Sequence, residues 1–176
     1  MKTKTGAPDK TKESLSNVFE DLLKDIYWAE KYLTKVLPRL SKAAYNEELR
    51  TAIEKHTHET NLQVTRIEQC FEALSLKAES KKCEAMEGLV AEADEAVGSY
   101  SEGSVRDAAL IAAAQKIEHY EICSYGTLRT MAKVLGRVQC EELLEQSKDE
   151  EAEADEKLTA LAEKINQLAC ETPVGV

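Results

Sequence analysis

The chain has 176 residues, which is enough for one domain with a sizeable core, and only seven of them are glycine and three proline. This composition, rich in Ala, Glu, Leu and Lys, predicts an all-α protein. The net charge of −10 argues against direct nucleic-acid binding, because an acidic surface repels phosphate groups. The sequence has no run of about 18 apolar residues, so no membrane span is predicted.

The first 13 residues are polar, carry four lysines and contain no apolar segment typical of a signal peptide. They predict a disordered arm before a domain over residues 14–170, with a tail over 171–176. The cysteines have long spacings and no Cys-x-x-Cys motif, which predicts reduced thiols in a cytoplasmic protein, each packed in the core. They are Cys70, Cys83, Cys123, Cys140 and Cys170.

Apolar residues recur with the 3.6-residue helical period through nearly the whole chain. Ser14 predicts the N-cap of a first long helix, in which Pro38 predicts a kink or loosened last turns. Asn46 predicts the N-cap of the second long helix. Glu47 and Glu48 would then lie in its first turn, where the helix dipole favours negative charge.

The segment over residues 75–104 is less regular, which predicts a long connection carrying a short helix around "CEAMEGLVAEADEAV". The apolar side of that helix, from Met86 to Val97, could form a dimer face or lie over the end of the bundle. Ser104 and Asp107 resemble a capping box that begins the third long helix. Gly136 predicts the end of that helix, and a fourth follows over about residues 138–169.

Four long helices of about 28–32 residues, with short loops inside each pair, predict two antiparallel hairpins. The 30-residue connection between the second and third helices is longer than a simple up-and-down bundle needs. A single long crossover is typical of the ferritin-like bundle. The sequence therefore predicts an all-α, ferritin-like four-helix bundle whose crossover carries a short fifth helix.

Ionisable side chains lie on or beside the apolar stripe of every long helix, close to its middle. Residues three or four apart share a helix face, so Glu118 can point into the bundle together with Glu121. Buried carboxylates repel one another unless they are protonated or hold cations. The candidate residues are Glu30, then His56, Glu59 and Gln63, then Glu118 and Glu121, and finally Glu150, Glu151 and Asp155.

These side chains predict a carboxylate-rich site for one or two ions of Fe or Mn, which accept carboxylate oxygen and some imidazole. His56 is predicted to support the ligands rather than to bind metal, and Gln63 is predicted to be either a weak ligand or a donor that supports the ligands. The usual Glu-x-x-His pattern is absent, because the second helix has the reversed order His56-x-x-Glu59 and the fourth has no histidine. Glu150 competes with Glu151 for the inward position. The predicted ligands are Glu30, Glu59, Glu118, Glu121, Glu151 and Asp155.

Chance placement is the competing interpretation, since 33 of the 176 residues are acidic. Glu30 fits a solvated helix edge as well as it fits a ligand. Tyr125 could hydrogen-bond a carboxylate, although ordinary core packing explains it as well. His58 and His119 fall off the stripes and are predicted to be exposed.

Several segments resemble the YciF-like family of bacterial ferritin-like proteins: "CEAMEGLVAEA", "RDAALIAAAQKIEHYEICSYGTL" and "DEEAEADEKLTALA". "IYWAEKYLTKVLPRL" and "KHTHETNLQVTRIEQ" are similar to the first two helices of that family, so the resemblance spans residues 14–169. It implies a dimeric bundle with a dinuclear metal centre, associated with stress responses. Thr57 and His58 stand where the family commonly has Leu and Glu. The resemblance places Glu30, Glu59, Glu118, Glu121 and Glu151 at the positions that face the centre.

The favoured function is therefore a cytoplasmic homodimer that binds Fe or Mn, with an open coordination position for oxidase or peroxide-consuming chemistry. The alternative is a structural or interaction dimer that needs no metal and catalyses no reaction. A ferritin-type storage shell is a third and weaker possibility, because the long connection and its extra helix favour a small oligomer.

Overall fold

The computed structural model describes residues 14–171, and these residues form five α-helices and no strand. None of these helices combines the length and the apolar character that crossing a membrane requires. The predicted arm over residues 1–13 and residues 172–176 of the predicted tail lie outside the described part of the chain. The helices are α1 (Leu15–Ala43), α2 (Glu47–Ala73), α3 (Glu84–Ser99), α4 (Ser104–Val134) and α5 (Val138–Glu171).

The four long helices pack side by side around one core. Helix α1 contacts α2 and α4, and α5 contacts the same two helices, so the order around the bundle is α1, α2, α5, α4. Short turns join α1 to α2 and α4 to α5, whereas residues 74–103 cross between the two hairpins and carry α3. This connectivity confirms the predicted all-α, ferritin-like fold.

Helix α3 lies along α1 and α4 of its own chain. Its apolar side, which includes Met86 and Val90, is buried against those two helices. The two terminal nitrogens of Arg39 on α1 donate hydrogen bonds to the Asp94 carboxylate, one of them at 2.9 Å. The expectation that this side forms a dimer face or covers the end of the bundle is therefore wrong, because the chain itself covers it.

The predicted helix starts are confirmed at α1 and α2. The Ser14 hydroxyl accepts the amide of Asn17 at 3.2 Å, and the Asn46 side chain accepts the amide of Leu49 at 3.1 Å. Helix α1 continues through Pro38 to Ala43, so the proline does not unwind the last turns.

The capping box predicted at the start of α4 is wrong. Ser104 is already helical, and its predecessor Gly103 provides no side-chain cap. The Asp107 carboxylate instead accepts the backbone amides of Tyr45 at 2.9 Å and Asn46 at 2.7 Å. These bonds tie the α1–α2 turn to α4, and they satisfy a carboxylate that is fully buried.

The cysteines are all free thiols, and all five fall within the described residues. The expectation that each is a core residue is wrong for Cys123 and Cys170, which are exposed. Cys70, Cys83 and Cys140 are buried.

Two helices end in the same backbone motif, with a residue of positive φ just beyond the helix. Gly136, at φ 67°, ends α4 as predicted, and the amide of Arg137 returns to the carbonyl of Ala132 at 2.8 Å. Ser75, at φ 56°, ends α2, where the amide of Leu76 returns to the carbonyl of Phe71 at 2.9 Å. Serine carries a Cβ into a backbone region that favours glycine.

The Ser75→Gly variant is expected to be more stable than the natural chain by about 0.5–1 kcal/mol, because glycine removes the steric cost of positive φ. Urea denaturation of the two proteins measures the difference. Ser80→Gly is the matched control, since Ser80 lies in the same connection but has no positive φ. Glycine at position 80 adds conformational freedom to the unfolded chain and relieves no strain in the folded one, so no gain in stability is expected. An equal gain in both variants would contradict the account.

Candidate metal centre

Four carboxylates from three helices converge in the middle of the bundle. Glu30 comes from α1, Glu118 and Glu121 from α4, and Glu151 from α5, and all four side chains are buried. The three-residue spacing of the two α4 residues places both on the face of α4 that points into the core. Several acids thus occupy positions that apolar side chains fill elsewhere in the bundle.

An imidazole from α2 completes the group, so every long helix contributes. His56 Nε2 lies 3.5 Å from Glu118 Oε2 and 3.6 Å from Glu151 Oε2. One potential ligand atom from each of His56, Glu118, Glu121 and Glu151 can be chosen so that all four atoms lie within 4.8 Å of one another. We call these four residues and Glu30 the core cluster. His56, which the sequence predicted as a supporting group, stands among the acids themselves.

Most polar atoms of the core cluster have no hydrogen-bond partner. A buried polar atom without a partner costs about 1–3 kcal/mol, and a charged atom costs more, so such groups are rare in stable proteins. The chemistry of this donor set, carboxylate oxygens with one imidazole, fits Fe or Mn. The unpartnered atoms are Glu30 Oε2, Glu118 Oε2, both carboxylate oxygens of Glu121, Glu151 Oε2 and both ring nitrogens of His56.

Two neutral side chains orient the acids. The Tyr125 hydroxyl donates a hydrogen bond to Glu30 Oε1, and the Gln63 amide donates one to Glu151 Oε1. In each carboxylate the second oxygen is left without a partner. Residues that hold one oxygen in this way fix the direction of the other, which is the usual role of groups behind metal ligands.

Arg66 decides which of two adjacent glutamates faces the core. Its guanidinium binds both oxygens of Glu150 at 2.6 Å, at the side of the bundle, while Glu151 turns inward. Arg66 was not among the site residues predicted from the sequence. The available signal was a charged residue three positions after Gln63, on the same face of α2.

Two predicted ligands lie outside the core cluster. The Glu59 carboxylate accepts a hydrogen bond from Lys55 at 2.5 Å, and its other oxygen lies 3.8 Å from His56 Nδ1, so it borders the cluster without joining it. Asp155 accepts a hydrogen bond from the Gln115 amide at 3.1 Å, toward the α4–α5 surface. His119 contacts the same aspartate at 3.4 Å and is exposed, as predicted, like His58.

Burial raises the pKa of every acid in the core cluster, and repulsion between neighbouring carboxylates adds to the effect. The pKa rises from 4.5 to about 8 for both Glu30 and Glu118. It rises well above the usual range for Glu121 and Glu151. Burial alone would lower the pKa of His56, but its contact with Glu59 and the nearby carboxylates outweigh that effect and leave the pKa raised.

A helical bundle with one long crossover and a carboxylate–histidine cluster in its core defines a ferritin-like protein. The chain belongs to the family described as a domain of unknown function, DUF892, which matches residues 14–170. The resemblance to the YciF-like family is confirmed, because the chain is 50% identical to protein YciF of Escherichia coli over 151 residues. The alignment covers 85% of this chain and 91% of YciF.

Two solved structures of similar proteins agree with this fold. The structure of the E. coli stress protein YciF matches with a TM-score of 0.85 at 48% identity, over 88% of this chain and 98% of the other. The structure of YcfI from Rhodopseudomonas palustris matches with a TM-score of 0.83 at 37% identity, over 86% of this chain and 96% of the other. The chain is thus a homologue of a bacterial stress protein.

Proposed function

We propose that this protein binds one or two divalent ions of Fe or Mn in the core cluster. The observation that carries the proposal is the convergence of unpartnered, buried ligand atoms from four helices. One or two cations would give most of these atoms a partner. His56, Glu118, Glu121 and Glu151 would hold the metal, with Glu30 reaching it from the α1 side.

Charge balance supports the same assignment. Four ionised carboxylates in a buried site repel one another strongly, and two divalent ions would neutralise them. The guanidinium of Arg66 does not neutralise these carboxylates, because it is bound to Glu150. Without metal, the acids must instead retain protons, as their raised pKa values indicate.

The reaction that we propose is the oxidation of a small molecule by O₂ or by a peroxide. In the second case the peroxide accepts two electrons and two protons from that molecule and leaves as an alcohol and water. Bound Fe or Mn supplies redox and Lewis-acid chemistry when an open coordination position admits the reactant. The chain provides orientation through Tyr125 and Gln63, which fix Glu30 and Glu151. His56 Nδ1 faces Glu59 at the edge of the cluster, and this pair would exchange a proton between the site and the solvent.

We further propose that the protein is a cytoplasmic homodimer. Three large apolar side chains are exposed near one end of the bundle, where α1 turns into α2, α4 begins and α5 ends. They are Tyr45, Val105 and Leu168, with exposed fractions of 59%, 40% and 51%. Such a surface supports association with a second copy. Light scattering measures the mass in solution, and a monomer at micromolar concentration would contradict the proposal.

The metal proposal is tested on protein purified from cells supplied with iron and manganese. Natural protein is expected to carry one or two ions per chain, and a chelator should lower its melting temperature. At a hundredfold excess of ion over Kd the stabilisation would be about 2.7 kcal/mol. Glu151→Gln is expected to weaken metal binding at least tenfold, because it removes a charged ligand from the cluster.

Glu156→Gln is the matched control for Glu151→Gln. It makes the same chemical change on the same helix, at an exposed position outside the core cluster. Metal content and chelator sensitivity should therefore stay close to those of the natural protein. Natural protein that binds no added metal would overturn the proposal and favour a structural dimer that needs none.

A further inference from the structure

A cavity of about 540 Å³ leads from the surface to the core cluster. Its mouth lies between α2 and α5, whose rim residues, among them Thr51 and Lys157, are exposed. His56 and Glu118 stand among the buried residues that line it. The volume falls within the range of about 300–1,000 Å³ that is typical of small-molecule sites.

The walls of this cavity are aliphatic. None of its lining residues is Phe, Tyr or Trp. A flexible hydrocarbon chain fits such walls, since every buried methylene adds to the binding free energy without needing a polar partner. The wall residues are Leu37, Leu40, Ile53, Leu110, Ile117 and Leu158.

The inner end of the cavity offers hydrogen bonds that nothing in the described chain uses. Both ring nitrogens of His56 and the Oε2 atom of Glu118 are buried without a partner. In the metal-free protein, a ligand that is apolar along its length and polar at one end would satisfy these atoms. This observation is independent of the shape of the cavity and points to the same kind of molecule.

The buried inner end of the cavity disfavours a charged ligand. Charges at the mouth are balanced by ion pairs, with Glu47 bound to Arg50, Glu48 to Lys164 and Lys55 to Glu59, so the mouth selects for neither sign. A charged end of either sign would lose its hydration on reaching the inner end. An uncharged polar end avoids that cost.

We propose that this cavity binds an uncharged aliphatic molecule with a hydroxyl or hydroperoxyl end, placed against His56 and Glu118. The proposal deepens the proposed function, because it names aliphatic hydroperoxides as the class of peroxide that reaches the metal centre. That substrate assignment rests on the proposed metal chemistry, whereas binding of the corresponding alcohol does not.

Titration of the metal-free protein with 1-octanol, followed by NMR, tests the binding. Saturable shifts in residues that line the cavity are expected, at one molecule per chain. Octanoate and octylammonium have the same chain with a charged end, and both should bind at least tenfold more weakly. Failure of 1-octanol to saturate, or equally tight binding of either charged probe, would overturn the proposal.

Two variants place a phenyl ring in the cavity from opposite sides. Ala154→Phe on α5 and Ala52→Phe on α2 should each weaken 1-octanol binding at least tenfold, and the second keeps the test valid if the first does not fold. Ala160→Phe is the control, because Ala160 is exposed on α5 and does not line the cavity. Unchanged affinity in both cavity variants contradicts the assignment.

The outcomes for the cavity and for the metal are separable. Protein that binds 1-octanol but no metal keeps the cavity and overturns the proposed function. Protein that binds metal but not 1-octanol overturns this inference alone. A change of molecular mass in Ala154→Phe, seen by light scattering, would mean that a second copy of the chain covers the mouth, and it would also overturn the inference.

Discussion

Replacing Glu121 by leucine is expected to abolish metal binding and, at the same time, to stabilise the metal-free protein. Both carboxylate oxygens of Glu121 are buried without a partner, and the pKa of this acid is raised well above its usual range. Leucine has a similar volume and no polar atom, so it removes that cost. Exchange of an unsatisfied buried polar group for a well-packed apolar one gives about 1–3 kcal/mol.

The two effects have opposite signs and are measured separately, by urea denaturation with a chelator present and by metal analysis without it. Glu163→Leu is the control, because Glu163 is exposed on α5 and the same atoms change there. Its effect on the free energy of unfolding should stay within about 0.5 kcal/mol. A Glu121→Leu protein that is less stable than the natural chain without metal would show that the carboxyl group is well satisfied.

The metal-free protein is expected to lose stability as the pH rises from about 5 to 8. The pKa of Glu30 and of Glu118 is about 8 in the folded chain but 4.5 in the reference state, so the unfolded chain releases these protons first. Their contribution is fully present below pH 4.5 and is lost on the way to pH 8. The slope is on the order of 1.4 kcal/mol per pH unit for each group.

His56 changes stability in the same direction. Its pKa is raised in the folded chain, so the stabilisation by its charged form is lost as the pH passes that value. Urea denaturation at a series of pH values measures the total slope. A Glu30→Gln, Glu118→Gln double variant should flatten the curve, and saturating metal should do the same because the bound ions keep the acids ionised. A flat curve for the metal-free natural protein would contradict the raised pKa values.

The fold could be predicted from the sequence because its signals are local. The 3.6-residue period identifies the long helices, and Ser14, Asn46 and Gly136 mark their ends by interactions within a few residues. The length of the crossover then selects the topology. The role of Asp107 was missed because its partners, the amides of Tyr45 and Asn46, are 61–62 positions away in the chain.

The site could be predicted in part, because periodicity gives a helix face but not the rotation of the helix. His56 and Glu59 are three residues apart and differ by about 60° around the axis, so both fit the inward stripe. Packing against the other helices turns His56 inward and leaves Glu59 at the edge. Glu150 and Glu151 differ by about 100°, and the distant Arg66 distinguishes them.

The position of α3 determines the side of the bundle from which the core cluster is reached. This helix covers the seam between α1 and α4, and the seam between α2 and α5, where the cavity opens, lies on the opposite side of the bundle. An ion or molecule that enters through the cavity meets His56 and Glu118 before it reaches Glu121 and Glu30. The five residues of the core cluster are therefore not equivalent. Because the crossover covers the opposite side of the bundle, it sets the order in which an entering ion or molecule contacts them.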